Sequence, residues 1–270
     1  MTPFVRFISV LLFAFTASAA AQFQPQVGQS GKDVIWVPTP DDVVERMLTM
    51  AQVTPNDYVW DLGAGDGKIA IMAAKKFGAR ATGIEYNPDM VKHANANAQA
   101  AGVSGTGKGQ AQIRHGDIFQ TDFSHATVVT LYLLPSLNVK LRPTILKMKP
   151  GTRVVSHAFT MDDWQADQTE NVEGRTAYLW IVPAQVGGKW QVPGGELTLK
   201  QSYQMISGVL KQNGKDRIVK GRLNGDQISF AGDGEGPRLE FSGRVSGSSM
   251  QGTVKDPAGE GKWSATRSSN

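Results

Sequence analysis

The sequence predicts an α/β fold, a doubly wound sheet with helices between its strands, followed by a small antiparallel β-barrel or meander. Three observations carry this. A short apolar run at 58–62 leads into the turn Gly63-Ala64-Gly65-Asp66-Gly67 and then a helical stretch at 68–77. Strand-like and helix-like apolar runs then alternate to about residue 182. From residue 184 the pattern becomes short alternating runs separated by turns such as Asn213-Gly214, Asn224-Gly225 and Ser246-Gly247.

The bulk numbers fit a soluble globular chain of one or two domains: 270 residues, 40% hydrophobic and 19% charged. Cysteine is absent, which excludes disulfides, thiolate metal sites and a cysteine nucleophile. The net charge is +4, and residues 184–270 carry 12 basic against 8 acidic side chains. So mild and dispersed an excess reads as solvated surface, and no nucleic-acid partner is expected.

Residues 1–21 read as a signal peptide: Arg6, an apolar run at 7–15, then Thr16-Ala17-Ser18-Ala19-Ala20-Ala21 with two Ala-x-Ala cleavage patterns. The apolar run is shorter than the roughly 20 residues that span a bilayer. The expectation is an exported, periplasmic or envelope-associated protein with no membrane span after cleavage. Residues 22–33, rich in glutamine and glycine, read as a flexible N-terminus. The α/β domain then covers 34–183 and the all-β domain 184–270.

In chain order, Thr39 suits a helix N-cap and Pro40 the first helical position. Val43, Val44, Met47, Leu48 and Ala51 share one face of that helix. Trp36 and Pro38 suit a pocket wall or core packing equally. After the glycine turn and its helix, strand 2 at 81–84 ends on Glu85, 18 residues past Gly67. An acid at that spacing accepts ribose hydroxyls; the plainer reading is a cap on the next turn. Asn87 and Pro88 open the next helix, which runs to 101. Strand 3 at 111–115 is followed by Gly116-Asp117. Asp117 suits an adenine amino group, or a simple turn. Strand 4 at 126–133 ends in Leu131-Tyr132-Leu133-Leu134-Pro135, a helix at 137–148 is interrupted at Pro143, and strand 5 at 153–159 holds Ser156 and His157. Residues 171–173 and 176–182 close the sheet as a hairpin.

The glycine spacing is G-x-G-x-G, with Asp61 two residues before it. Lys68 occupies the third glycine position of the dinucleotide fingerprint, which makes a dinucleotide oxidoreductase an unfavoured reading. None of His93, His115, His125 and His157 has metal-ligand spacing to another histidine or acid, so no metal is expected. Ser156 and His157, being adjacent, do not make a nucleophile–base pair, and no G-x-S-x-G elbow occurs.

These residues resemble the class I, Rossmann-like S-adenosylmethionine-dependent methyltransferases. More narrowly they resemble the protein-lysine methyltransferases that include the enzymes of the ATP synthase c-subunit and their bacterial relatives. The matching runs are Val37-Pro38-Thr39-Pro40, residues 61–69, residues 83–88, Gly116-Asp117, residues 131–135 and residues 150–157, within about 34–182. The resemblance implies S-adenosyl-L-methionine as cofactor. Asp61, Gly63, Gly65 and Gly67 would hold its methionine and ribose side, Glu85 the ribose and Asp117 the adenine. Tyr132 would be the nearest polar group to the methyl, and Tyr132 and His157 are the candidate bases. A lysine acceptor on a protein is the implied substrate, and a desolvated pocket favours its neutral form. Two features depart from the family: export, and the C-terminal extension. The alternative is a catalytically silent module that binds S-adenosylmethionine or a nucleoside in the envelope, with the barrel binding a partner.

The C-terminal repeat is apolar, polar, glycine, any residue, apolar, as in Ile206-Ser207-Gly208-Val209-Leu210 and Phe241-Ser242-Gly243-Arg244-Val245. It predicts a meander closed or nearly closed into a barrel. Trp190 and Trp263 suit core plugs or ligand-stacking platforms. The barrel itself suits a lipocalin-like binding role or a structural, substrate-presenting one.

Overall fold

A computed structural model describes residues 23–268; residues 1–21, expected to be a signal peptide, lie outside them. Helix α1 (Asp41–Met50) precedes strand β1 (Tyr58–Leu62). Then follow α2 (Lys68–Phe77), β2 (Arg80–Glu85), α3 (Pro88–Ala100), β3 (Ala111–His115), β4 (Val128–Leu131), α4 (Pro135–Ile145), β5 (Arg153–His157), β6 (Gln168–Val172) and β7 (Arg175–Ile181). The seven strands form one sheet in the order β3-β2-β1-β4-β5-β7-β6. The first five are parallel, and β7 runs antiparallel to both β5 and β6. The strand order reverses at β1, which lies between β2 and β4. Strands β1, β4 and β5 are buried along almost their whole length, as a sheet covered on both faces requires.

Local signals set some helix ends. Asn87 Oδ1 accepts from the backbone N–H of Asp89 at 2.9 Å and of Met90 at 3.2 Å, with Pro88 at the first position of α3. Gly78 ends α2 in the left-handed conformation with φ 70°. Two expectations need correction. Thr39 does not cap α1, because its hydroxyl is engaged by His157. Pro143 does not interrupt α4: it lies in the last turn, where the missing N–H costs one bond near an end that frays anyway.

The barrel is closed and has eight strands: β8 (Gly188–Val192), β9 (Gly195–Ser202), β10 (Met205–Gln212), β11 (Lys215–Asn224), β12 (Gln227–Gly234), β13 (Leu239–Ser246), β14 (Ser249–Asp256) and β15 (Gly259–Arg267). Every sequential pair is antiparallel and most are joined by two-residue turns. In the Asn213-Gly214 turn both central residues have positive φ, 52° and 75°, which matches the right-handed twist of the flanking strands. The glycine of the repeat has a steric cause: a Cβ at Gly208 or Gly221 would overlap the carbonyl oxygen of Thr198 or Ser229 on the neighbouring strand. Trp190 is fully buried in the barrel core, and its Nε1 donates to Val186 O at 2.8 Å. Among the described residues no helix is long and apolar enough to cross a membrane.

One end of the barrel seats against the α/β domain. The indole Nε1 of Trp164 donates to Gln204 Oε1 at 3.0 Å, and Tyr203 stacks on Trp164 at 5.8 Å. Arg222 pairs with Asp167.

Candidate active site

Ligands of open α/β sheets bind past the carboxyl ends of the strands where the order reverses. Here a cavity of about 620 Å³ opens at that point, lined by the glycine turn, Glu85, Asp117 and residues 132–134. Residues 29–39 form its remaining wall. This stretch overlaps the segment expected to be flexible, yet its backbone folds back on itself. Gly28 N donates to Trp36 O at 2.8 Å, Trp36 N to Gln29 O at 2.9 Å, and Gly31 N to Val34 O at 2.9 Å.

The glycine turn works through conformation and through missing atoms. Gly63, Gly65 and Gly67 have φ of 85°, 53° and 81°, a region that side chains disfavour. A Cβ at Gly65 would lie 2.5 Å from Trp36 Nε1, so the indole packs directly on the turn. Gly63 and Gly65 line the cavity, whereas Gly67 does not. A Cβ there would meet Ile113 at 3.0 Å and Ala94 at 3.2 Å, so Gly67 serves the packing of α2 and α3 on the sheet.

Asp61 is 1% exposed and lines the cavity. Its Oδ1 accepts from Thr130 Oγ1 at 2.7 Å, while Oδ2 is buried without a partner. Burial pushes its pKa up to about 7; the Thr130 hydrogen bond opposes this, and the charges of Asp66 and Glu85 add to it. An orphaned carboxylate oxygen calls for a cationic donor from a ligand. The cavity wall also carries Asp33, Asp66, Glu85 and Asp117 against only two cations, Lys32 and Lys68. S-adenosyl-L-methionine, with its ammonium and sulfonium, fits this wall. A dinucleotide pyrophosphate would meet like charge.

Glu85 serves the turn and the site together. Its Oε1 accepts from Asn87 N at 2.9 Å and its Oε2 from Gly65 N at 3.0 Å, so one carboxylate ties strand β2 to the glycine turn. Asp117 also lines the cavity, but both oxygens are engaged: Oδ2 with Lys32 Nζ at 2.7 Å and Oδ1 with Phe119 N at 2.9 Å. The Lys32 hydrogen bond holds its carboxyl below the usual range. Lys32 also lies 4.8 Å from the Tyr86 ring centroid. No local pattern points to Lys32, because its partner is 85 residues away.

Tyr132 lines the cavity, with Phe159 nearly parallel at 6.1 Å. His157 packs against Tyr132 at 4.0 Å between ring centroids, is 3% exposed and does not line the cavity. Its Nδ1 lies 3.2 Å from Thr39 Oγ1. Burial lowers its pKa to about 4; the charge of Arg175 lowers it further and that of Asp42 opposes. The imidazole is therefore neutral at physiological pH. Thus Asp61, Gly63, Gly65, Glu85, Asp117 and Tyr132 surround one cavity, with Gly67 and His157 just behind its wall.

Residues 61–168 match the ANTKMT methyltransferase domain. A protein-lysine N-methyltransferase of Saccharolobus islandicus is 44% identical over 155 residues, which is 55% of this chain and 94% of that protein. The lysine N-methyltransferase of the mouse ATP synthase c-subunit is 30% identical over 153 residues, 56% of this chain but only 60% of the mouse protein. Among solved structures, an RNA methyltransferase from Salinibacter ruber in complex with S-adenosyl-L-homocysteine is 52% identical. The match has a TM-score of 0.53 and covers 56% of this chain and 96% of that one.

Proposed function

This chain belongs to the S-adenosylmethionine-dependent protein-lysine methyltransferases, and we infer that it methylates the ε-amine of a lysine on an envelope protein. The cavity mouth is the observation that favours a protein lysine. Four of the large apolar side chains that stand exposed, Ile35, Val37, Tyr86 and Leu134, line this one cavity. Together with the surplus of acids, they suit a lysine side chain carried on an apolar surface and oppose a phosphate backbone.

When bound, S-adenosyl-L-methionine supplies a methyl group activated by its sulfonium. The chain's own residues position and desolvate. Asp61 is suited to hold the cofactor's ammonium, and Glu85, already fixed by two backbone donors, to accept ribose hydroxyls. The apolar mouth lowers the acceptor's pKa and so delivers a neutral amine. The Tyr132 hydroxyl then orients the amine. His157, neutral and behind Tyr132, acts as a positioning residue that fixes the tyrosine ring and Thr39. Alignment of this kind can supply several kcal/mol of barrier reduction.

The test incubates residues 22–270 with methyl-labelled cofactor and an envelope extract. Label that survives RNase, is released by protease and appears as methyl-lysine after hydrolysis supports the reading. Label confined to RNA would favour the chemistry named for the Salinibacter relative and end this one. Tyr132→Phe keeps the ring packed on His157 and is expected to lower kcat by about tenfold, the effect of losing one orienting hydrogen bond of about 1.4 kcal/mol. Cofactor Kd should stay within about twofold; an unchanged kcat would remove Tyr132 from the proposal. Export rests on the signal pattern at 1–21. A reporter enzyme that is active only after export, fused after residue 30, should be active with Arg6 and the apolar run intact and inactive without them.

A further inference from the structure

The contact between barrel and α/β domain lies on the same loop as one wall of the cofactor cavity. Phe159 lines the cavity, nearly parallel to the Tyr132 ring at 6.1 Å between centroids. It belongs to residues 158–167, which join β5 to β6. The loop starts with an unfavourable backbone. Ala158 has a φ of 64°, and Phe159 N donates to His157 O at 2.8 Å, which closes a three-residue turn of the rare, strained kind. Asp162 has a φ of 59°. Such conformations persist only where the surroundings over-determine them, and they gather at functional sites.

Helix α4 supplies one set of constraints. Asn138 is fully buried, and its Nδ2 donates to Phe159 O and to Thr160 O, both at 3.2 Å. Arg142, in the last turn of the same helix, donates to Met161 O at 2.7 Å and to Asp163 Oδ1 at 2.5 Å. The Asp163 side chain is 66% exposed, and an ion pair open to water holds a loop only weakly.

The barrel supplies the rest, from the turn that joins β9 to β10. The Tyr203 hydroxyl donates to the same Asp163 Oδ1 at 2.9 Å. Its ring stacks on Trp164 at 5.8 Å and 14°, and the Arg142 guanidinium lies 5.4 Å from the ring centroid. Gln204 accepts from Trp164 Nε1 at 3.0 Å and donates to Gln165 O at 2.8 Å. The helix thus holds the loop over 159–163, and the barrel holds it over 163–165. Tyr203 itself has a φ of 54°, so left-handed backbone at a residue other than glycine occurs on both sides of the contact. A barrel that was merely tethered would need none of this.

We propose that the barrel is a positioning module for methyl transfer: Tyr203, acting through Asp163 and Trp164, fixes the 158–164 loop and so holds Phe159 against Tyr132, where the acceptor side chain enters. Tyr203 is a positioning residue, and the inference rests on the reading of this cavity as a lysine-methylating site. Tyr203→Asn removes the ring and its hydroxyl but places at 203 a residue type that tolerates positive φ, so the turn is kept. In the full chain, with S-adenosyl-L-homocysteine bound and no acceptor present, amide hydrogen exchange at 158–164 should quicken about tenfold or more in this variant. The Kd of S-adenosyl-L-homocysteine should stay within about twofold, because the change lies outside its cavity. With saturating S-adenosyl-L-methionine and a dilution series of envelope extract as acceptor, methyl-lysine formation should fall about tenfold or more. Tyr203→Phe, which keeps the stacked ring and loses the hydroxyl, should fall between the parent and Tyr203→Asn. In a Phe159→Ala background, Tyr203→Asn should alter transfer by less than about twofold, because the residue it acts through is already gone. An equal fractional loss in both backgrounds is the mark of a merely structural role and overturns the proposal. Unchanged exchange at 158–164 overturns it too, as does loss of S-adenosyl-L-homocysteine binding together with transfer. Exchange needs no acceptor: an extract that yields no methyl-lysine with the parent ends the lysine reading, and exchange alone then decides whether Tyr203 fixes the loop.

Discussion

Replacing Asp61 with asparagine is expected to weaken cofactor binding at least thirtyfold while making the ligand-free protein more resistant to heat. The carboxyl is buried, keeps one hydrogen bond to Thr130 and leaves Oδ2 unpaired. Its pKa of about 7 lies above the roughly 3.9 of an unfolded aspartate. Between those values the folded chain holds a proton that the unfolded chain has lost, so stability falls as pH rises from about 4 to 7. Asparagine never ionises and removes this penalty. The melting temperature of Asp61→Asn should therefore exceed that of the parent by several degrees at pH 8, with the gap closing toward pH 5. Binding responds in the opposite sense, because the ligand's ammonium needs the ionised carboxylate. Losing one partner of a buried charge pair costs about 2–5 kcal/mol, roughly thirtyfold to several thousandfold in Kd. In the parent protein, affinity should rise about tenfold from pH 6 to pH 8, as a group of pKa near 7 goes from about one-tenth to nine-tenths ionised. Calorimetric titration and thermal melts across that range read both effects. A variant that binds like the parent, or a melt difference independent of pH, would remove Asp61 from the site.

The parts of this site that local chemistry defines were legible in the sequence. The alternating glycines, the acid before them, Glu85 at the end of β2 and the Asn87 cap each depend on neighbours within a few residues or on one strand–helix unit. The parts that depend on the closed fold were not. Thr39 satisfies the local pattern of an N-cap, but its hydroxyl lies beside His157, 118 positions along the chain. Asp117 suits a base edge by its place after β3, yet Lys32 already holds it. Gly67 belongs to the motif by spacing but to helix packing by position. His157 looks like an acid–base residue in a linear sequence; only burial reveals that it stays neutral. The barrel shows the same division. Its turns are visible as Asn-Gly and Ser-Gly pairs, whereas the need for glycine at 208 and 221 follows from the carbonyls of neighbouring strands that lie against them.

The contact between the two domains was the least legible feature, and disturbing it should have the largest effect on stability. Trp164 is fully buried beneath the turn that joins β9 to β10. It donates to Gln204, stacks on Tyr203, and its carbonyl accepts from Trp180 Nε1 at 2.7 Å. Tyr203 holds a φ of 54°, unfavourable for so bulky a side chain. The stacking on Trp164 and a 2.9 Å bond from its hydroxyl to Asp163 keep it there. Trp164→Ala removes the ring on which these contacts converge and leaves Gln204 Oε1 without its donor. Large-to-small changes of this kind cost about 3–5 kcal/mol. The α/β domain has its own core and so does the barrel. The loss should therefore appear as uncoupling: one calorimetric transition in the parent, two in the variant, with the earlier one belonging to the α/β domain that contains the cavity left behind. Trp164→Phe retains a ring for Tyr203 but not the indole N–H, and should fall between them. A single transition shifted by less than about 1 kcal/mol in Trp164→Ala would mean that the domains are joined by their connecting segment alone.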